Sequence, residues 1–160
     1  MSTPLKRKLE KAFKLYLESE ISASDPLDGV NIYEGRGNLD ARQLPSVTIY
    51  VESLEENIQP GIGEYLASLA IIHMGQADDE TVSDHDARQQ QLEEIIADVT
   101  SAKDFINKSA TPDVRTVPNI YIYDIKEDTE DQDFEERSFI DSLRYQIPCR
   151  NDNGDGTITS

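Results

Sequence analysis

The chain has 160 residues, a length that predicts a single domain. Its 32 acidic and 15 basic residues give a formal net charge of -17, which repels nucleic-acid phosphates and anionic membrane surfaces, so ordinary nucleic-acid binding is nearly excluded. Because Cys149 is the only cysteine, neither an internal disulfide nor a thiolate metal cluster is expected.

The N-terminal segment is basic, but the hydrophobic region of a signal peptide does not follow it. No apolar run approaches the roughly 20 residues of a membrane span. We therefore expect the chain to be made in a cytoplasm, to remain there, and to have no membrane partner. The single cysteine agrees with such a reducing compartment.

The first predicted element is a helix over residues 4–21, where apolar residues recur at three- and four-residue steps. Five of the 15 basic residues lie within nine positions of this helix: Lys6, Arg7, Lys8, Lys11 and Lys14. This charge is either a solvated helix face or a basic patch that meets an acidic surface on another copy or a neighbouring protein.

Three strand-like segments come next. Residues 29–33 could form a short edge strand, and residues 46–54 combine β-branched and aromatic residues as strands do. Residues 64–75 could form a helix, but adjacent isoleucines and a preceding turn favour a hairpin with the segment before.

The connection between the two hairpin strands, EENIQPGIG, is a candidate docking loop. Its isoleucines lie among charges and turn formers, where they would be poorly used on a free monomer but useful against a partner. The alternative is a loop folded back over its own sheet. The candidate docking residues are Glu55, Glu56, Ile58 and Ile62.

The second half begins with an acidic loop over residues 78–86 and a helix over residues 84–107 with one apolar stripe. A third strand is predicted over 119–125 and a fourth, paired with it, over 139–149. Between them, residues 126–136 hold seven acidic residues in eleven and are expected to form a solvated loop.

These elements predict an α+β domain over residues 1–150, followed by a flexible polar tail over residues 151–160. The predicted order is α-β-β-α-β-β. Two hairpins separated by a helix bury their apolar faces most simply when both helices pack on one face of a mostly antiparallel four-stranded sheet.

No motif for catalysis stands out. His73 lies in a strand-like run and is expected to be a core residue, while His85 lies between two aspartates at a helix start. No nucleophile elbow or phosphate-binding loop accompanies them. We therefore expect no enzyme, no cofactor and no metal; an enzyme would need a pocket that contains His73 and a carboxylate with a perturbed pKa.

Four segments within residues 4–149 have a distinctive combination of order and wording: PLKRKLEKAFKLYLE, IYEGRGN, LPSVTIYVES and SFIDSLRYQIPC. Together they resemble the small tail-completion proteins of double-stranded DNA bacteriophages, above all the tail terminator. The resemblance implies an α+β fold, a hexameric ring, and a location at the head-tail junction of a virion assembled in the cytoplasm of a bacterial host. It also implies contacts to the tail tube and to a connector or stopper protein, with no enzymatic activity and no cofactor.

The charge of the chain is compatible with a ring through which DNA passes without specific binding, because an acidic lining repels the duplex. The possible lining residues are Asp128, Glu130, Asp131 and Asp133. A closed ring also needs two different complementary patches on each copy, and Arg7, Lys11 and Lys14 are the candidate basic patch. The alternative functions are another neck component, either a stopper or a head-closure adaptor, and an acidic DNA-mimic binding module.

Overall fold

The structure is a computed structural model that describes residues 5–35, 37, 43–56, 64–76, 82–107, 120–135 and 138–151. Its helices are α1 (Leu5–Glu20), α2 (Val82–Ala97) and α3 (Val99–Asn107). Its strands are β1 (Asn31–Glu34), β2 (Ser46–Glu56), β3 (Glu64–Gln76), β4 (Ile120–Ile122), β5 (Lys126–Glu135) and β6 (Ser138–Asn151). The predicted flexible tail falls outside the described residues except for Asn151, which is the last residue of β6.

The six strands form one mixed sheet in the order β1-β2-β3-β6-β4, with β5 also paired to β6. β1 runs parallel to β2, and all other pairs are antiparallel. β4 and β5 share one edge of β6, where β4 pairs with residues 149–151 and β5 with residues 138–146. The predicted four-stranded sheet with two helices is therefore wrong, because the described part of the chain contains three helices and six strands.

The largest correction concerns the acidic segment, which forms β5 and not a loop. Its ten residues carry six carboxylates, yet their backbone pairs with β6 from Lys126 opposite Gln146 to Glu135 opposite Ser138. A strand at the edge of a sheet has its backbone satisfied on one side only, and charged side chains there remain hydrated. Pairing with a neighbour thus outweighs the low intrinsic strand preference of aspartate and glutamate.

The predicted helix over residues 84–107 is also wrong in one respect, because it is two helices that meet at Asp98. The Asp98 carboxylate accepts hydrogen bonds from the Ser101 backbone N–H (3.1 Å) and from the Ser101 hydroxyl (2.8 Å). These bonds lower the pKa of Asp98. This is the arrangement of a helix N-cap, so the chain begins a new helix, α3, at this point.

The core lies between the three helices and one face of the sheet. α1 packs over β2 and β1, and α3 packs against β4. The residues on the core face of β3 and β6 alternate with those on the other face, as expected for strands. The largest fully buried side chains include Leu9, Phe13, Tyr16, Leu17, Leu69, Ile71, Leu92 and Ile96. In the described residues, no helix is long and apolar enough to cross a membrane.

Glu10 links α1 to β2 of the sheet through a hydrogen bond. Its buried carboxylate accepts a 2.9 Å hydrogen bond from the backbone N–H of Val51, next to the register shift in β2. Burial raises the pKa of Glu10, and the bond from Val51 opposes that rise. We expect Glu10→Ala to lower the free energy of unfolding by about 1–3 kcal/mol, because it leaves the Val51 N–H unsatisfied.

Glu10→Gln is the matched control, since its amide oxygen can still accept from Val51 without burying a charge. Urea unfolding at pH 7 should place Glu10→Gln within about 1 kcal/mol of the wild type. Equal losses for the two variants would show that the Val51 hydrogen bond is not what Glu10 contributes.

Candidate functional site

Arg7, Lys11 and Lys14 lie on one side of α1, and together they are called the basic stripe. At 3.6 residues per turn their side chains project within roughly 60° of one another, opposite the buried Phe13 and Tyr16. Arg7 and Lys11 are exposed and Lys14 is half-buried. The structure therefore groups the three predicted interface residues on one surface.

Lys8 does not belong to this surface. It is buried, and burial lowers the pKa of its ammonium group. Of the five basic residues in this helix, Lys8 alone is buried, and the other four are exposed or half-buried.

β5 forms the acidic edge of the sheet. One side of β5 pairs with β6, and no described strand pairs with its other side. Asp128 is exposed and accepts a 3.1 Å hydrogen bond from the Gln146 side-chain amide. Glu130, Asp131 and Asp133 lie further along the same strand, and their side chains are outside the described part of the chain.

The basic stripe and the acidic edge belong to opposite ends of the strand order. α1 lies over β1 and β2, whereas β5 follows β6 at the other end of the sheet. Four inter-strand steps separate β1 from β5, which is about 19 Å measured along the sheet. Each copy of the chain therefore presents two surfaces of opposite charge that its own fold keeps apart.

The predicted docking loop is described only at its start. Glu55 and Glu56 are the last residues of β2, and Glu55 is exposed and lies opposite Leu66 of β3. Ile58 and Ile62 lie outside the described residues. The role of this loop stays a prediction.

A buried polar network, which the sequence analysis did not predict, joins α2 to the sheet. His73 of β3 lies directly opposite Asp141 of β6, and His85, Arg88 and Gln89 reach them from the first turns of α2. His85 Nε2 lies 2.7 Å from Asp141 Oδ2, and the two imidazole rings stack with centroids 4.0 Å apart. All five residues are buried.

The contacts of His73 determine its protonation state. The Arg88 guanidinium donates from Nε to His73 Nε2 (3.1 Å), so this nitrogen is the acceptor. Nδ1 then carries the proton and donates it to Gln89 Oε1, 2.9 Å away. Burial, together with the neighbouring His85 and Arg88, lowers the pKa of His73 to about 3. His73 is therefore a neutral imidazole at physiological pH.

The network does not fit a metal ion, although His73, His85 and Asp141 place their possible ligand atoms within 4.8 Å of one another. A metal lies in the plane of each imidazole that binds it. The planes of His73 and His85 are within 5° of parallel and 4.0 Å apart at their centroids, so no single ion can lie in both planes. The acceptor nitrogen of His73 is also already occupied by Arg88.

One sequence signal could have revealed this network. The apolar stripe of α2 runs through Leu92 and Ile96, and three- and four-residue steps back from Leu92 lead to Gln89 and Arg88, and then to His85. Polar residues that continue a buried stripe must pair with polar groups across the core. The spacing along α2 does not identify their partners on β3 and β6, because those partners depend on the register of the two strands.

An amphipathic cleft lies between the α2–α3 junction and the β5–β6 pair. It has a volume of about 370 Å³. Ile125, Leu143 and Tyr145 form its buried apolar floor, and the carboxylates of Glu93 and Glu127 lie at its rim beside Ala97. The cleft adjoins the acidic edge, at the end of the strand order away from β1 and β2, over which α1 lies.

Comparison with known proteins adds no assignment to these features. No model of a protein family matches the chain, and no curated protein matches it significantly.

Proposed function

We propose that the chain is a bacteriophage tail terminator, a structural subunit that closes into a ring at the end of the tail tube. The ring joins the tube to the head connector and lets DNA pass without specific binding. The observation that carries this proposal is the position of the basic stripe and the acidic edge at opposite ends of the strand order of one sheet.

Opposite placement of unlike surfaces favours a ring over a two-fold dimer. In a two-fold dimer the same patch meets itself, so a basic surface would face a basic surface. In a ring, each copy uses one patch toward the copy before it and a different patch toward the copy after it. The separation of the two charged surfaces across the sheet supports this head-to-tail arrangement.

The charge of the chain supports passage of DNA. With a net charge of -17, a ring of several copies repels a duplex unless basic side chains line its bore. Each phosphate contact by lysine or arginine would hold the duplex back. In this proposal Asp128, Glu130, Asp131 and Asp133 of β5 line the passage, and the connector and tail tube are the neighbours on either side.

Reversal of the basic stripe tests the proposal. The triple variant Arg7→Glu, Lys11→Glu, Lys14→Glu is expected to reduce ring formation and binding to purified tail tubes at least tenfold, because like charges would then meet at each subunit contact. Native mass spectrometry and sedimentation, with and without tail tubes, measure both properties. Unchanged assembly of this variant would overturn the proposal.

The control adds negative charge at other positions. Six exposed neutral positions match the change of six charge units in the triple reversal: Ala23→Glu, Gln43→Glu, Ser83→Glu, Ala87→Glu, Gln90→Glu and Thr100→Glu. This control variant should assemble as the wild type does if position, and not net charge alone, governs assembly.

Imaging separates the alternative functions. A label at the C-terminus of the chain should appear at the junction of head and tail, at the end of the tail tube, if the protein is the terminator. A label on the connector side of that junction indicates a stopper or head-closure adaptor. A monomer or dimer that binds a basic nuclease or polymerase indicates the acidic DNA mimic.

A further inference from the structure

The amphipathic cleft has the chemistry of a receptor for a basic side chain. Its floor is apolar, and its rim carries the carboxylates of Glu93 and Glu127. Lysine and arginine have the complementary character, since a long aliphatic stem ends in a cation. An anion or a phosphate would meet two carboxylates at this rim and is disfavoured.

Within the described residues, most fully exposed cations are on α1. The exposed basic side chains are Lys6, Arg7, Lys11 and Lys126. Three of these four belong to α1, while Lys126 precedes Glu127 on β5, beside the cleft itself. Among the described residues, α1 is therefore the main source of exposed cations that a second copy of this chain can offer.

The basic stripe cannot reach the cleft of its own copy. Tyr16 is on the side of α1 that faces the interior, where its hydroxyl donates a 3.0 Å hydrogen bond to the carbonyl of Ile95 in α2. Arg7 and Lys11 project from the other side of α1, away from α2. A contact between the stripe and the cleft therefore requires two copies.

We propose that the cleft of one copy receives Arg7 and Lys11 from α1 of the next copy. This inference rests on the proposed function and specifies the subunit contact of the ring. The two cations pair with Glu93 and Glu127, and their aliphatic stems pack on the apolar floor beside Leu143. Because the contact uses only Glu127 of β5, it leaves Asp128, Glu130, Asp131 and Asp133 available for the passage.

Cysteine cross-linking tests this contact directly. The native Cys149 is fully buried, and burial raises the pKa of its thiol to about 12, so it does not react with maleimides in the folded protein. Lys14→Cys lies one helical turn from Lys11, and Ala97→Cys lies at the exposed border of the cleft. A mixture of these two single variants, treated with a short bismaleimide, should give cross-linked dimers.

The control pairs Lys14→Cys with Gln90→Cys, which is exposed on α2 but outside the cleft. We expect at least tenfold more dimer from the Ala97→Cys mixture than from the control mixture. Neither Lys14→Cys nor Ala97→Cys should give appreciable dimer alone, because a head-to-tail contact brings unlike positions together.

A charge exchange provides a second measurement that needs no cysteine. Glu93→Arg with Glu127→Arg should abolish ring formation, and adding Arg7→Glu with Lys11→Glu to that chain should restore it. Restoration would not follow if the four residues acted only through local folding. The fourfold variant regains the wild-type net charge, so the separate charge control described above, not this exchange, tests for a net-charge effect.

The possible outcomes separate the two proposals. If the wild type forms rings but the Ala97→Cys mixture cross-links no better than the control, the cleft is not the subunit contact, while the ring remains. If the wild type forms no ring alone or on tail tubes, the proposed function fails, and this contact fails with it.

Discussion

Replacement of His73 by glutamine is expected to remove a large part of the acid sensitivity of the protein. The pKa of His73 is about 3 in the folded protein, against an ordinary value of 6.5 in the unfolded chain. The stabilisation is therefore fully present above pH 6.5 and is lost as the pH falls toward 3, because only the unfolded chain binds the proton. The loss approaches about 1.4 kcal/mol per pH unit and reaches about 2.7 kcal/mol by pH 4.5.

Urea unfolding of the wild type and of His73→Gln between pH 7.5 and 4.5 measures this effect. Glutamine has a donor and an acceptor for Gln89 and Arg88 but does not titrate in this range. The carboxylates titrate in both proteins, so the difference between the two curves isolates His73. That difference should shrink as the pH falls, and parallel curves would contradict the neutral buried state of His73.

Replacement of Asn107 by leucine is expected to lower the free energy of unfolding by about 3 kcal/mol, because two buried backbone groups would lose their partner. Asn107 is the buried last residue of α3, and its amide pairs twice with the backbone of Ile122 in β4. Nδ2 donates to the Ile122 carbonyl (2.9 Å), and the Ile122 N–H donates to Oδ1 (2.8 Å). Denaturant unfolding and hydrogen exchange at the Ile122 amide measure the loss.

The chain contains a matched control for this variant. The side chain of Asn31 also donates to backbone carbonyls, those of Gln43 (3.1 Å) and Pro45 (3.5 Å), but this site is partly exposed. Asn31→Leu should cost less than about 1 kcal/mol, since water can replace the lost bonds. Leucine has the same number and branching of side-chain heavy atoms as asparagine. Similar losses at the two positions would therefore show that burial of the Ile122 groups is not the cause.

Helix α2 takes part in both the proposed subunit contact and the buried network, but through different residues. α2 carries His85, Arg88 and Gln89 at its beginning, where they join β3 and β6, and Glu93 at the rim of the cleft two turns from His85. Variants of the rim change an exposed or half-exposed side chain and should leave the network intact. Loss of assembly by rim variants with unchanged unfolding free energy would therefore distinguish the contact from folding.

The elements that the sequence predicts well are those with a periodic apolar pattern. The three- and four-residue spacing of α1 locates that helix over Leu5–Glu20, close to the predicted 4–21. Strands β2, β3 and β6 likewise agree with the predicted segments to within a few residues. In these elements local pattern and burial favour the same structure.

The elements that the sequence predicts poorly depend on partners distant along the chain. β5 is a strand because its backbone pairs with the edge of β6. Of the strand predicted over 119–125, the structure describes Ile120–Ile122 as β4, the residues that pair with β6. The break at Asp98 had a local signal, the cap formed with Ser101, which the continuous apolar stripe obscured.

By itself, the sequence determined the acidity of the chain, the basic helix and the main periodic elements, because these follow from composition and from local spacing. Only the tertiary structure decided which charges lie at opposite ends of the strand order and which residues border the cleft. It also decided that His73 faces Asp141, since a shift of one residue in strand register would turn either side chain to the other face.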